Sequence, residues 1–166
     1  RGTVADLILH ETSEQEEERR ILEAAGFQDP RKAALNLRRL AGSGQRLETF
    51  LPLALLACDM LGHEPDPDMA LNNWERFIHA VADPREHFAG LLAQPKRLDV
   101  LLRIFSRSQF LSDTLIRRPE EVEELERQRR EALEREQAAA DSRRDEDTQS
   151  AEAETEAPDA RSEERR

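Results

Sequence analysis

Residues 66–81 read Asp66-Pro67-Asp68-Met69-Ala70-Leu71-Asn72-Asn73-Trp74-Glu75-Arg76-Phe77-Ile78-His79-Ala80-Val81. Asp66 offers a side-chain oxygen to the free backbone N–H groups that open a helix. Pro67 fits the first helical position, where its missing N–H is one no helix uses. Behind this start, Ala70, Leu71, Trp74, Phe77, Ile78 and Val81 recur three and four apart, the spacing of a single helical face. The stretch predicts a helix over 67–82 with one apolar side.

The same Asp-Pro start recurs at Asp29–Pro30 and Asp83–Pro84, and Pro95 and Pro119 do the same without the aspartate. Working outward, Ser13 with Glu16 fits a capping box for a helix that Gly26 ends. Pro30 to Ala41 carries Ala33, Leu37 and Leu40 on one face, and Gly42 ends it. A helix over about 47–61 has Phe50, Leu51, Ala54, Leu55 and Cys58 on one face, with Leu53, Leu56 and Met60 filling much of the rest. Pro52 places its true start near Leu51, and Gly62 ends it. A helix apolar on so many sides belongs at the centre of a bundle. Helices over 84–93, with Phe88, Leu91 and Leu92, and 95–105, with Leu98, Leu101, Leu102 and Phe105, follow. A last one over 108–118 shows Phe110, Leu111, Thr114 and Leu115. No segment alternates as a strand does. The expected fold class is all-α, an irregular helical bundle of short Pro-initiated helices.

Charge and apolar content set the domain limits. The chain has 166 residues and a formal net charge of −11. Up to Pro119 there are 18 acidic and 16 basic side chains, and from Glu120 onward 18 and 9. Between Phe27 and Arg118 lie 31 large apolar residues; beyond Pro119 there are only Val122, Leu125 and Leu133. That is too little to offset the roughly 1–2 kcal/mol per residue that ordering a backbone costs. The sequence therefore divides into an N-terminal extension (1–12), a helical domain (13–118), a charged helix (119–140) held by Glu–Arg pairs such as Glu131–Arg135, and a disordered acidic tail (141–166). No apolar run reaches the roughly 18–20 residues of a membrane span, and the first residues lack a signal-peptide pattern, so a cytoplasmic location is expected. One cysteine excludes an internal disulfide framework and a thiolate zinc site, and the acidic balance speaks against a nucleic-acid partner. Arg1 in place of an initiating Met leads us to expect a trimmed or partial chain.

Few side chains suggest chemistry. Gly42-Ser43-Gly44-Gln45-Arg46 is the one Gly-rich loop, and Gly-Ser turns hold triphosphates in nucleotidyltransferases. That chemistry also needs a nearby carboxylate pair on magnesium. Glu48 and Asp59 are too far apart to supply it, so the loop reads as a plain helix connection. Glu64, Asp66 and Asp68 alternate, but an EF-hand's Gly and distal Glu are missing, and capping explains Asp66. His79, Asp83 and His87 straddle the Pro84 break and read as surface groups. Cys58 reads as a small core residue. Arg103, Arg107, Arg117 and Arg118 cluster around the last short helix, either as solvated charges or as a patch for an acidic partner. Asn72 and Asn73 are poor helix formers in mid-helix; a buried hydrogen bond is the simple account, and contact with a partner the sharper one. Exposed side chains among Phe105, Phe110 and Leu111 mark an interface. No catalytic, cofactor-binding or metal-ligating residue is assigned.

Three segments carry a family resemblance. They are Gly26-Phe27-Gln28-Asp29-Pro30, then Pro65 through Phe77, then Ser106-Arg107-Ser108-Gln109-Phe110-Leu111-Ser112-Asp113-Thr114-Leu115-Ile116-Arg117-Arg118-Pro119-Glu120. In this order they resemble the N-terminal region of the bacterial bifunctional glutamine-synthetase adenylyltransferase/adenylyl-removing enzyme, as a fragment or truncated relative. The resemblance implies a helical region leading into a nucleotidyltransferase domain that removes AMP from a tyrosine of glutamine synthetase, with a second such domain adding it from ATP. It also implies magnesium in both catalytic domains and nitrogen regulation through the PII signal protein and glutamine. The Gly-Ser and paired-aspartate motif of that family follows the matched region, and here a charged segment stands in its place. No catalytic residue carries over, and inactivity of the chain alone is the expectation. The implied partners are a nucleotidyltransferase domain of the same or a neighbouring chain, glutamine synthetase and PII. The alternative is a free-standing helical adaptor.

Overall fold

A computed structural model describes residues 2–10 and 15–155. Among these the chain forms nine helices and no strand: α1 (Val4–Leu9), α2 (Gln15–Ala24), α3 (Pro30–Ala41), α4 (Gly44–Leu61), α5 (Pro67–Ala80), α6 (Pro84–Ala93), α7 (Pro95–Arg107), α8 (Gln109–Arg117) and α9 (Pro119–Thr155). The all-α reading holds.

The Asp-Pro starts behave alike. Asp29, Asp66 and Asp83 each accept a hydrogen bond from the backbone N–H three residues on, at 3.1, 2.9 and 3.1 Å. All three have nearly the same extended backbone, with φ between −115° and −138° and ψ between 80° and 91°. A residue before proline is pushed to such angles by the proline ring, so one local rule sets three chain reversals. At the end of α2, Gly26 adopts φ 100° and the Phe27 N–H returns to the Leu22 carbonyl, a left-handed stop that favours glycine.

The molecule divides into two units, Arg1–Glu124 and Leu125–Arg166. In the first, α5 is the central helix and packs against α3, α7 and α8. Trp74 is fully buried, with the ring of Phe50 at 5.7 Å and that of Phe88 edge-on at 6.1 Å. Phe77 packs on Phe105 at 5.8 Å. Such aromatic pairs add roughly 0.5–1.5 kcal/mol each beyond the area they bury.

Four sequence expectations need correction. Residues 1–12 are not merely an extension: Thr3 and Asp6 form a capping box that starts α1, and Val4, Leu7 and Ile8 are buried. Three buried residues in a six-residue helix are too short a pattern to register as periodicity. The helix expected from about Leu47 to Leu61 begins earlier, at Gly44, and contains Pro52 in its interior. Pro52 is exposed, so the carbonyl it leaves without an N–H partner has water available. Leu55, expected inside, is 46% exposed, while Leu53 and Ala57 are buried in its stead. The charged helix does not stop near Ala140 but continues as α9 to Thr155. Nothing between Pro119 and Thr155 is a glycine or proline, and Ala, Glu and Arg dominate, so no local signal ends it. The rest of the expected disordered tail, 156–166, and the Ser13 cap lie outside the described residues.

The described part of the second unit, residues 125–155, is helical and almost wholly in water. Leu125 and Leu133 are 66% and 46% exposed, and Arg135 pairs with Glu131 at 3.5 Å one turn away.

Candidate functional site

The best-built polar cluster fixes α8 to α5 and α7. Asn73, buried in the middle of α5, donates from Nδ2 to the Phe105 carbonyl at 2.9 Å and to Gln109 Oε1 at 3.3 Å. Gln109 Nε2 donates back to Asn73 Oδ1 at 3.1 Å and to Asp113 Oδ1 at 2.8 Å. Arg76 donates to the same Asp113 oxygen at 3.0 Å and to Asn73 Oδ1 at 3.3 Å. The hydrogen bonds from Gln109 and Arg76 hold the Asp113 carboxyl below its ordinary range. Ser112 Oγ, fully buried, donates to the carbonyls of Ser108 and Ile104. Ser108 in turn caps α8 through the Leu111 N–H.

The consequence is a helix that meets α5 and α7 through polar groups, Gln109, Asp113 and the buried Ser112. Phe110 is 80% exposed and Leu111 49% exposed, and only Leu115 and Ile116 pack partly onto the core. Of the residues whose exposure the sequence reading ties to an interface, Phe110 and Leu111 lie outside, where the polar clamp holds them. Phe105, the third residue of that expectation, is fully buried. Near this face Arg107 pairs with Glu64 at 3.0 Å, Arg103 with Asp99 at 2.8 Å and Arg118 with Glu121 at 3.0 Å. The suspected cationic cluster is therefore largely spent within the first unit.

The other candidates separate. Glu64 pairs with Arg107, Asp66 caps α5, and Asp68 accepts from the Gln28 and Asp29 N–H groups at 2.8 and 3.1 Å, tying the start of α5 to the start of α3. Three carboxylates thus do three different jobs. Among the described residues no group of three His, Cys, Asp or Glu side chains is placed to hold a metal. Gly42 and Gly44 have φ 59° and 62°, and the Ser43 side chain makes no capping bond. Arg46 folds back onto the turn, donating to the carbonyls of Leu40 and Arg39 at 3.0 and 2.9 Å. The loop is a helix connection, with Glu48 and Asp59 exposed on α4.

His79 lies 2.7 Å from Glu75 on the surface of α5, while Asp83 caps α6. His87 corrects the sequence reading: it is buried, not a surface group. Its Nε2 accepts from Trp74 Nε1 at 3.4 Å, and its Nδ1 has no partner among the described residues. Burial pushes its pKa down to about 4. Cys58 is buried as expected, and burial pushes its thiol up to about 12. Asn73 takes the simple reading of a buried hydrogen bond. Asn72 is half-buried with no hydrogen bond to a described residue. The signal for the clamp was present in Asn73, Gln109 and Asp113, polar residues where the helical period asks for apolar ones.

Comparison with known proteins gives one relationship. Over 113 residues, 68% of this chain, the sequence is 31% identical to the bifunctional glutamine synthetase adenylyltransferase/adenylyl-removing enzyme of Mycobacterium marinum. It is 28% identical over 108 residues, 64% of this chain, to the enzymes of the same description in Mycobacterium bovis and Mycobacterium tuberculosis. In each case the match covers 11% of the relative's length. The chain resembles a part of that enzyme. No family profile matches it, and neither does any solved structure. No described helix is long and apolar enough to cross a membrane.

Proposed function

We propose that this chain is the N-terminal helical segment of a glutamine-synthetase-modifying enzyme, or a truncated relative of it, and that it acts without catalytic groups of its own. Its task is to brace a nucleotidyltransferase domain, of the same or a neighbouring chain, that removes AMP from a tyrosine of glutamine synthetase. ATP and magnesium belong to that domain. Glutamine synthetase and the PII signal protein are the further partners this reading names, in the bacterial cytoplasm and in the service of nitrogen regulation. The observation that supports it is the similarity over 113 residues, joined to an α8 face of Phe110 and Leu111 held outward by a polar clamp. A rigidly presented apolar pair is what a covering domain needs as an anchor.

The test adds the purified chain to the remainder of such an enzyme and follows phosphorolytic release of AMP from modified glutamine synthetase as ADP. Binding with an altered rate, both lost in a Phe110→Ser/Leu111→Ser variant, is expected. No binding and no change in rate overturn the reading. The alternative, a free-standing adaptor, is favoured by the solvated helix of the second unit. DNA beyond the codon for Arg166 separates the two. A continuing frame with Gly-Ser and paired aspartates supports the first, and a stop codon with no neighbouring transferase frame the second.

A further inference from the structure

Glu48, Pro52, Leu55 and Asp59 follow one another along α4 at steps of four, three and four residues, the spacing of a single helical face. All four are exposed, Leu55 to 46%. The apolar side chains flanking them, Leu51 and Leu56, are only partly buried. α4 thus turns apolar surface outward even though α1, α3, α6 and α7 all pack against it. The stripe also holds a residue that works against its own helix. Pro52 lies in the interior of α4 with its side chain exposed, and it takes away the N–H that the Glu48 carbonyl would otherwise use. An exposed proline at that place gives the bundle no packing in return.

Charge on this face has one sign. Glu48 and Asp59 make no hydrogen bond or ion pair with a described residue. The single basic residue of α4 is Arg46, and its guanidinium is turned back onto the carbonyls of Leu40 and Arg39. Two unpaired carboxylates, about 16 Å apart along the axis at the rise of an α-helix, therefore frame an apolar middle of Pro52 and Leu55. The complement is a second helix with apolar side chains between two cations at the same spacing. An anionic membrane or a nucleic acid meets repulsion here.

We propose that the outer face of α4 docks a basic amphipathic helix of a partner protein. The partner's apolar stripe lies on Pro52 and Leu55, and its Lys or Arg side chains pair with Glu48 and Asp59. The surface shares no residue with the Phe110–Leu111 pair of α8, and so stands or falls apart from the function proposed above.

The experiment titrates the full 166-residue chain into a fluorescein-labelled helical peptide and follows anisotropy. The probe is an end-blocked Ala/Gln peptide with two leucines between two lysines, set at the spacing of the α4 stripe. Binding should saturate with a Kd on the order of 0.1 mM and weaken as salt rises. Glu48→Lys/Asp59→Lys should weaken it about tenfold or more, since attraction becomes repulsion. Leu55→Ser should weaken it about fivefold by removing apolar contact. All three positions are exposed, and an unchanged helical circular dichroism spectrum shows that each variant still folds. Phe110→Ser/Leu111→Ser should bind as the parent does. The proposal is overturned if the probe does not saturate, or if a twin peptide with glutamates for its lysines binds equally well. It is overturned too if the α4 variants bind like the parent or the α8 variant loses binding. Sedimentation that shows the chain pairing with itself through Leu55 replaces the partner helix with a second copy and overturns it as well.

Discussion

Asn73 and Phe105 stand thirty-two residues apart in sequence and are joined by a 2.9 Å hydrogen bond from the Asn73 carboxamide to the Phe105 carbonyl. That carbonyl lies in the last turn of α7, among groups a helix leaves without partners. The bond therefore closes a helix end and fixes the start of α8 in one stroke. Replacing Asn73 with leucine keeps the number and branching of side-chain heavy atoms but strands the Phe105 carbonyl and frees Gln109. We expect a loss of about 2–3 kcal/mol, as for a buried polar group deprived of its partner, read as a lower urea midpoint. Amide exchange in α8 should rise more than in α4.

The buried imidazole of His87 makes stability depend on acidity. Its pKa is pushed from 6.5 down to about 4 by burial, so the unfolded chain takes up a proton more readily than the folded one. The contribution is intact above pH 6.5. It is lost as pH falls from 6.5 toward 4, and it changes little below that. The full loss is on the order of 3 kcal/mol. Urea midpoints at pH 7 and pH 4.5 should differ less in His87→Phe than in the parent chain; an equal difference refutes the assignment.

Phe105 and Phe110 are five residues apart and should answer oppositely to truncation. Phe105 is fully buried against Phe77, and Phe105→Ala is expected to cost about 3–5 kcal/mol. Phe110 is 80% exposed, and Phe110→Ser should stay within about 0.5 kcal/mol of the parent. Thermal melts of the two variants, run side by side, check this.

Pro52 interrupts α4 while its ring faces solvent. Alanine there restores an N–H for the Glu48 carbonyl and costs no packing. A proline in a helix interior is worth about 3 kcal/mol against alanine, part of which this site has already relaxed. Pro52→Ala should raise Tm in calorimetry, and a lowered Tm tells against the account.

Much of the bundle was legible because its helix starts are written in two residues. The three Asp-Pro caps lie where the sequence put them, and α3 matches its expected bounds at both ends. What escaped depended on distant partners. The six residues of α1 bury three side chains only because α3 and α4 are there to cover them. Leu55 and Leu53 are equally apolar, and only the position of neighbouring helices decides which is inside. His87 looked like a surface histidine because its shelter, Trp74 and Phe77, comes from another helix. The setting of α8 likewise depends on another helix, since Asn73 and Arg76 on α5 engage its Gln109 and Asp113.

The ring of Trp74 sits where α4, α5 and α6 meet, and the chain has no other tryptophan and no tyrosine. Its ultraviolet emission is thus a single-source signal from within the packed core of the bundle. Because the indole N–H points at His87, that glow registers both the tightness of the centre and the proton state of one imidazole, and the molecule carries its own dye.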